Sequence, residues 1–387
     1  MGWSSQDALV NDITVNGQYM RRDIAKITSP VHTAGGWHSL FGSAGSPNAT
    51  TFPSAQDLVF QSCSELGGDA ASTTLLGIQN GGVIAGTKHI LNIGANLVAA
   101  AGAPWQAKLV DLQGYHRMAT TNVTGTGSRV LINSNTFTAS SSSGLLLTYT
   151  NDFNTFSKVR FTTNNTLPTG LSLNTDYWLV RVSSTTARVA TSLSNAIAGT
   201  VISFTDAGIG THTVTMQMPR YQDGVGCEAF FVSQTAPTAG GPNLSASSYT
   251  NTAGTASRSF QGSPTMGVAA DSYATRILHS GNAAGRYGPF LPRQGGDTGI
   301  KSIESFTWSG GTAYTGSGVV ALCIARPLCD IAIPVSGMWS ERDLVNQLPS
   351  LPEVKNGACL GWLLFSTGAT TNNSPFTTAI DFGWSIT

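Results

Sequence analysis

The sequence predicts an all-β protein. A β-sandwich, jelly-roll-like, forms the main domain; a smaller β domain is inserted into it; one or two short helices complete the chain. Three observations predict this. Apolar runs of strand length recur between turns rich in Gly, Ser, Asn and Pro. Helix-start signals are rare. From about residue 123 to 214 the strand-like pieces become short and evenly spaced, the pattern of a small sandwich or barrel.

The elements follow in chain order. Ser4 or Ser5 can cap a short helix over Gln6–Thr14, with Ala8, Leu9 and Ile13 on one face. Residues 108–112, 228–232, 319–325 and 358–365 are largely apolar and of strand length. Within the insert, strand-like pieces fall at 129–133, 145–150, 158–161, 177–182, 187–191, 201–204 and 212–216. Lys158-Val159-Arg160-Phe161 alternates as a strand with one wet face should. Asp223-Gly224 marks a tight turn. Ser340-Glu341-Arg342-Asp343 resembles a capping box with Asp in the usual Glu or Gln place, and predicts a second short helix ending before Pro349. Gly-rich linkers such as Thr124-Gly125-Thr126-Gly127 lead into the middle region. The main domain is therefore assigned to residues 1–122 plus 215–387, and the insert to 123–214. Such an insertion is tolerated where its two ends lie close together.

Charge is the second message. Asp, Glu, Lys and Arg make up 10% of 387 residues, against about 25% in an average soluble domain. Gly (44 residues) and runs of Ser, Thr, Asn and Ala take their place. A free protein keeps its neighbours away largely by charge. A chain that gives this up is suited to sitting packed among copies of itself. The formal net charge is zero, so nothing draws the chain toward nucleic acid or an anionic membrane. The apolar windows at 97–103 and 318–325 are far too short to span a bilayer. The N-terminus has no basic stretch followed by an apolar run and does not read as a secretory signal.

Catalytic layouts appear only as near misses. Gly81-Gly82-Val83-Ile84-Ala85-Gly86-Thr87-Lys88 approaches a phosphate-binding loop, but Lys88 stands one place too late, and a turn between strands is the better reading. The six histidines, His32, His38, His89, His116, His212 and His279, share no ligand spacing and read as satisfied polar groups or surface residues. Cys323 and Cys329 are too far apart for the usual paired zinc ligands and read as small buried hydrophobes. The close carboxylate pairs are Asp223/Glu228 and Glu341/Asp343; Asp223 suits a turn, and the second pair suits a helix N-terminus. No catalytic, metal-ligating or cofactor-binding residues are assigned, and the expectation is a protein that is not an enzyme and carries no cofactor.

Aromatic residues are the one feature suited to binding. Most of the tryptophans read as core. Gly36-Trp37-His38 and Tyr287-Gly288-Pro289-Phe290 sit in loop-like contexts, so Trp37, Tyr287, Phe290 and Trp339 are the candidate interface anchors.

Two sets of motifs carry a family resemblance. The first runs Leu167-Pro168-Thr169-Gly170-Leu171-Ser172-Leu173-Asn174-Thr175-Asp176-Tyr177-Trp178-Leu179-Val180, then Ala190-Thr191-Ser192, then Phe204-Thr205-Asp206-Ala207-Gly208-Ile209-Gly210-Thr211-His212-Thr213-Val214. It resembles a small β module common in tailed-bacteriophage virion proteins and covers about the second half of the insert. The second set is Leu112-Gln113-Gly114-Tyr115, Pro219-Arg220-Tyr221-Gln222-Asp223-Gly224, Tyr249-Thr250-Asn251, Gly288-Pro289-Phe290-Leu291-Pro292, Gly296-Asp297-Thr298-Gly299-Ile300, Glu341-Arg342-Asp343-Leu344-Val345 and Asn356-Gly357-Ala358-Cys359-Leu360. These resemble a group of phage structural proteins. The resemblance implies a virion component on the capsid surface, made in the cytoplasm of a host bacterium, whose partners are the phage major capsid protein and other copies of itself. It implies no catalytic residues. The chain lacks the long charged helix and basic arm of the usual shell protein, so an accessory decoration or cement role is expected. The alternatives are a tail or fibre-associated component and a module binding a host-surface glycan.

Overall fold

The computed structural model describes residues 3–28, 32, 34–47, 57–64, 77–98, 104–140, 146–267, 275–280, 288–316, 318–346, 350–368, 370 and 374–385. Strands dominate, and three short helices occur among these residues. The all-β expectation holds.

Among the described residues the strands form three antiparallel sheets and a barrel, numbered here in chain order. The first sheet runs β1 (Tyr19–Thr28), β20 (Ser374–Ser385), β4 (Thr87–Leu97), β17 (Ser340–Asp343), and β18 (Glu353–Val354) also pairs with β4. The second runs β13 (Glu228–Thr235), β16 (Val319–Ile333), β5 (Trp105–Met118), β19 (Leu360–Ser366), β2 (Gly36–Ser39), with β3 (Phe60–Ser62) on β5 beyond β19. The third runs β14 (Ala239–Asn251), β15 (Ile300–Thr315), β6 (Gly127–Val130). The barrel closes in the order β10 (Tyr177–Ser183), β11 (Thr186–Ala190), β8 (Leu146–Tyr149), β7 (Ser134–Ser140), β12 (His212–Met216), β9 (Lys158–Thr163).

The second sheet is central because its strands are apolar on both faces. On β5, Trp105, Ala107 and Leu109 meet Ile93, Phe376 and Ile380 of the first sheet, while Val110 and Leu112 point the other way, into a cluster with Phe230, Cys323 and Leu363. Strand β16 divides its length. Ile331 and Ile333 face the first sheet; Val320, Leu322 and Ile324 join Tyr249, Phe306 and Trp308 of the third. Each buried Val, Leu, Ile or Phe among them contributes roughly 1.5–3 kcal/mol by leaving water. The four apolar runs singled out in the sequence lie in or overlap β5, β13, β16 and β19, all in this sheet.

The barrel is built on alternation, interrupted at Val189-Ala190, where both residues are buried. Phe137, Val159, Phe161, Tyr177, Leu179, Val189 and Val214 point inward and are buried. Six strands leave an interior that side chains can fill. Strand β6 belongs to the third sheet, so the barrel strands span Ser134–Met216. The chain enters and leaves the barrel side by side, and the Met216 amide donates to the Asn133 carbonyl at 2.8 Å. The barrel core is continuous with Val59, Phe60, Met118 and Val123 of the main body.

The first helix, α1 (Gln6–Thr14), has the expected bounds: Ser5 Oγ accepts from the Ala8 amide at 3.1 Å. Two further helices are single turns, α2 (Thr120–Val123) and α3 (Leu193–Ile197). The expected helix after Ser340 is corrected. Ser340-Glu341-Arg342-Asp343 forms β17, registered from Ser340 opposite Ala95 to Asp343 opposite Asn92. The edge of β4 satisfies the backbone that a helix would otherwise satisfy. The strand-like piece at 201–204 is corrected too: it forms no strand, and the Ile202 amide makes a backbone bond to Val189 O at 2.7 Å. The turn at Asp223-Gly224 is present, with the Gly224 amide on Tyr221 O at 2.7 Å and Gly224 at φ +76°.

Candidate functional site

Of the three candidate anchors among the described residues, Trp37 and Phe290 share one hydrophobic cluster, and Trp339 is not part of it. Trp37 on β2 is buried: its ring packs on Phe365 with centroids 5.4 Å apart, and its amide donates to Ser280 Oγ at 3.0 Å. That burial corrects its assignment as a surface anchor; flanking glycine in the sequence mimicked a loop. Phe290 is half-buried against Phe230 at 6.2 Å and lines a groove of about 390 Å³ with Glu228 and Arg293, which pair at 2.8 Å. Tyr287 lies outside the described residues.

Trp339 is the anchor that reaches the surface, at 42% exposed. It precedes β17, and its ring lies over Gly94 of β4, where any Cβ would collide with the indole. Its Nε1 donates to Glu341 Oε1 at 2.8 Å, fixing the ring flat on the first sheet. The turn before it is bonded back to the end of β4: the Gly337 amide and Ser336 Oγ both donate to Leu97 O, at 3.0 and 3.3 Å. This brings Val98, Val335, Met338 and Trp339, each 42–59% exposed, into one apolar patch. Apolar exposure of this kind makes the patch a candidate contact surface.

Two polar centres hold the scaffold. Arg220, just past the barrel, donates to both Asp111 carboxylate oxygens and to the carbonyls of Cys63, Leu112 and Gly357, all at 2.7–2.9 Å. Asp111 also accepts from the Cys359 amide at 2.9 Å. Three of the motifs that carry the family resemblance, at 112–115, 219–224 and 356–360, thus meet at one buried ion pair. The second centre is Asp297, which accepts from Tyr249 Oη, Asn251 Nδ2 (2.7 Å) and Arg258 Nε (3.0 Å). These donors, Arg258 first, hold its carboxyl down at about 2. It joins the motifs at 249–251 and 296–300. Nothing in the local sequence marks either centre, because the partners are far apart in the chain.

The barrel is clamped at two points. Asp176 accepts from Arg160 Nε (2.5 Å), Lys158 Nζ (2.9 Å) and Gln222 Nε2 of the main body (2.6 Å). At the other end, Arg181 grips Asp152 through two 2.7 Å bonds, and Gln61 of β3 bonds to Asp152 O and the Asn154 amide, both at 3.0 Å.

Of the remaining reactive side chains, the histidines lie inside the fold, and the expectation that each is hydrogen-bonded is corrected for His32 and His89, whose ring nitrogens are buried without a hydrogen-bond partner. All six histidines are buried; the surface alternative is thereby corrected. His32 and His38 stack with centroids 3.9 Å apart and rings 4° from parallel. His116 Nδ1 donates to Leu58 O at 2.8 Å. Burial pushes His32 and His279 down to about 3 and His116 to about 4. Lys88 turns its amine onto Asn80 Oδ1 (2.7 Å) and Gly82 O (3.3 Å), closing its own turn. The five cysteines are free thiols; Cys323 is buried and Cys329 half-buried. Among the described residues no three His, Cys, Asp or Glu side chains form a metal-holding group.

No protein-family model matches the chain, and no curated protein matches it in sequence.

Proposed function

We propose that this chain is a structural component of a tailed-phage virion, a capsid decoration or cement protein that stabilises the head shell through subunit contacts. Three features support the reading: the motif resemblance, the sparse charge and the surface patch around Trp339. The patch carries it, because a rigidly seated ring that stays 42% exposed, with Val98, Val335 and Met338 exposed as well, offers an anchor to a neighbouring subunit. A protein that binds only the assembled shell stabilises it by mass action. The polar Ser-, Thr- and Asn-rich remainder supplies uncharged hydrogen bonds around that anchor.

Particles made without the protein test the reading directly. They should rupture at lower temperature and under milder osmotic shock than complete particles. Unchanged resistance removes the cement role. Copies in rings of three or six at the tail place the protein there instead.

A further inference from the structure

Four elements meet beside the barrel and enclose an open cleft of about 650 Å³. Arg160 comes from β9, Lys301 from β15, Arg326 from β16, and Glu353 and Lys355 from β18 and the residues after it. Tyr221 and Asp223 come from the turn that follows the barrel. The charged lining is four cations against two carboxylates in a chain whose net charge is zero. Some of this charge is already answered. Arg160 leans on Asp176, and Lys355 on Glu353 at 2.5 Å. Asp223 accepts from the Val225 amide at 3.1 Å. Lys301 is exposed and has no carboxylate partner among the described residues, and neither has Arg326. Arg326 is held in place by donating to Val225 O and by stacking on Tyr221, 5.2 Å from the ring centroid. Tyr221 itself sits at φ +47°, a left-handed backbone that costs free energy for a non-glycine residue and is found at ligand clamps.

We infer that this cleft receives an acidic segment of a neighbouring protein subunit, with carboxylates seated between Lys301 and Arg326. It rests on the structural role proposed above only in taking the partner to be a protein. A carboxylated sugar fits less well, because the Tyr221 face a sugar would stack on is covered by the Arg326 guanidinium. With no net charge to steer association over distance, selection must be made locally by groups such as these.

The test uses the purified full chain and a fluorescein-labelled hexaglutamate peptide titrated at low ionic strength. Saturable binding is expected. Lys301→Glu should weaken it by about tenfold or more, and Arg326→Gln should weaken it as well. Arg188→Glu, the same charge change on the exposed outside of β11, should leave it unchanged. Thermal melts of each variant confirm the fold. No saturable binding overturns the inference, as does equal loss in Lys301→Glu and Arg188→Glu. A digalacturonate that displaces the peptide and binds more tightly overturns the choice of partner. Counting copies in purified particles tests the structural role separately, so the two can fail independently.

Discussion

Arg220 and Asp111 form a two-pronged ion pair, 2.9 and 2.7 Å, closed off from solvent at the point where the chain returns from the barrel to the central sheet. Truncating one partner of such a pair strands the other's charge. Asp111→Ala should therefore cost about 3–5 kcal/mol of unfolding free energy in a denaturant titration. Replacing both with apolar residues, Asp111→Leu with Arg220→Met, should cost less than the single change. A double variant weaker than Asp111→Ala would show that the carbonyls of Cys63, Leu112 and Gly357 need the guanidinium more than the carboxylate does.

The Trp339 patch separates stability from assembly. Trp339→Ser removes a ring that is 42% exposed, so the melting temperature should fall only slightly, while recruitment to particles should drop sharply. Gly94→Ala should act alike by another route, lifting the indole off β4. Its tryptophan emission should shift to the red. Normal recruitment of both variants would remove the patch from the contact surface.

Acid should loosen the fold well before its carboxylates titrate. His32, His116 and His279 are held neutral, near 3, 4 and 3, against an ordinary 6.5. Their folded values are depressed, so between pH 6.5 and about 4 the unfolded chain binds protons that the folded chain refuses. Stability then falls as pH falls, by up to about 1.4 kcal/mol per pH unit for each histidine. Melts from pH 7.5 to 4.5 should show this slope, and His116→Gln should flatten it. A flat profile would contradict the burial of these rings.

Barrel and main body should unfold together. One apolar cluster runs from Phe161 and Val214 inside the barrel to Phe60 and Met118 outside it, and the Asp176 and Asp152 clamps cross the same boundary. Calorimetry should give a single transition with matching calorimetric and van't Hoff enthalpies. Two separated transitions would mean that the barrel is an independent unit.

Much of the fold is legible where a local signal decides it. The Ser5 cap fixes α1, and alternation in Lys158-Val159-Arg160-Phe161 fixes the start of β9. The sequence fails where long-range pairing overrides local preference. Ser340 to Asp343 carries a capping pattern, yet β4 offers an open edge and takes it as a strand. Strand β7 is nearly all Ser, Thr and Asn, and only Phe137 and Ala139 mark its inner face. Of the site, Trp339 is readable as a candidate aromatic anchor. The cleft is not, since Arg160, Lys301, Arg326 and Lys355 come from distant stretches and only the folded chain assembles them.

Closure of the six-stranded cylinder has a consequence for life at high local concentration. Every strand in it already has two partners, so it offers no rim onto which a stranger's backbone could zip. Any fibril-like growth would have to start from an open margin such as that of β1, and there Arg21, Arg22 and Asp23 stand guard.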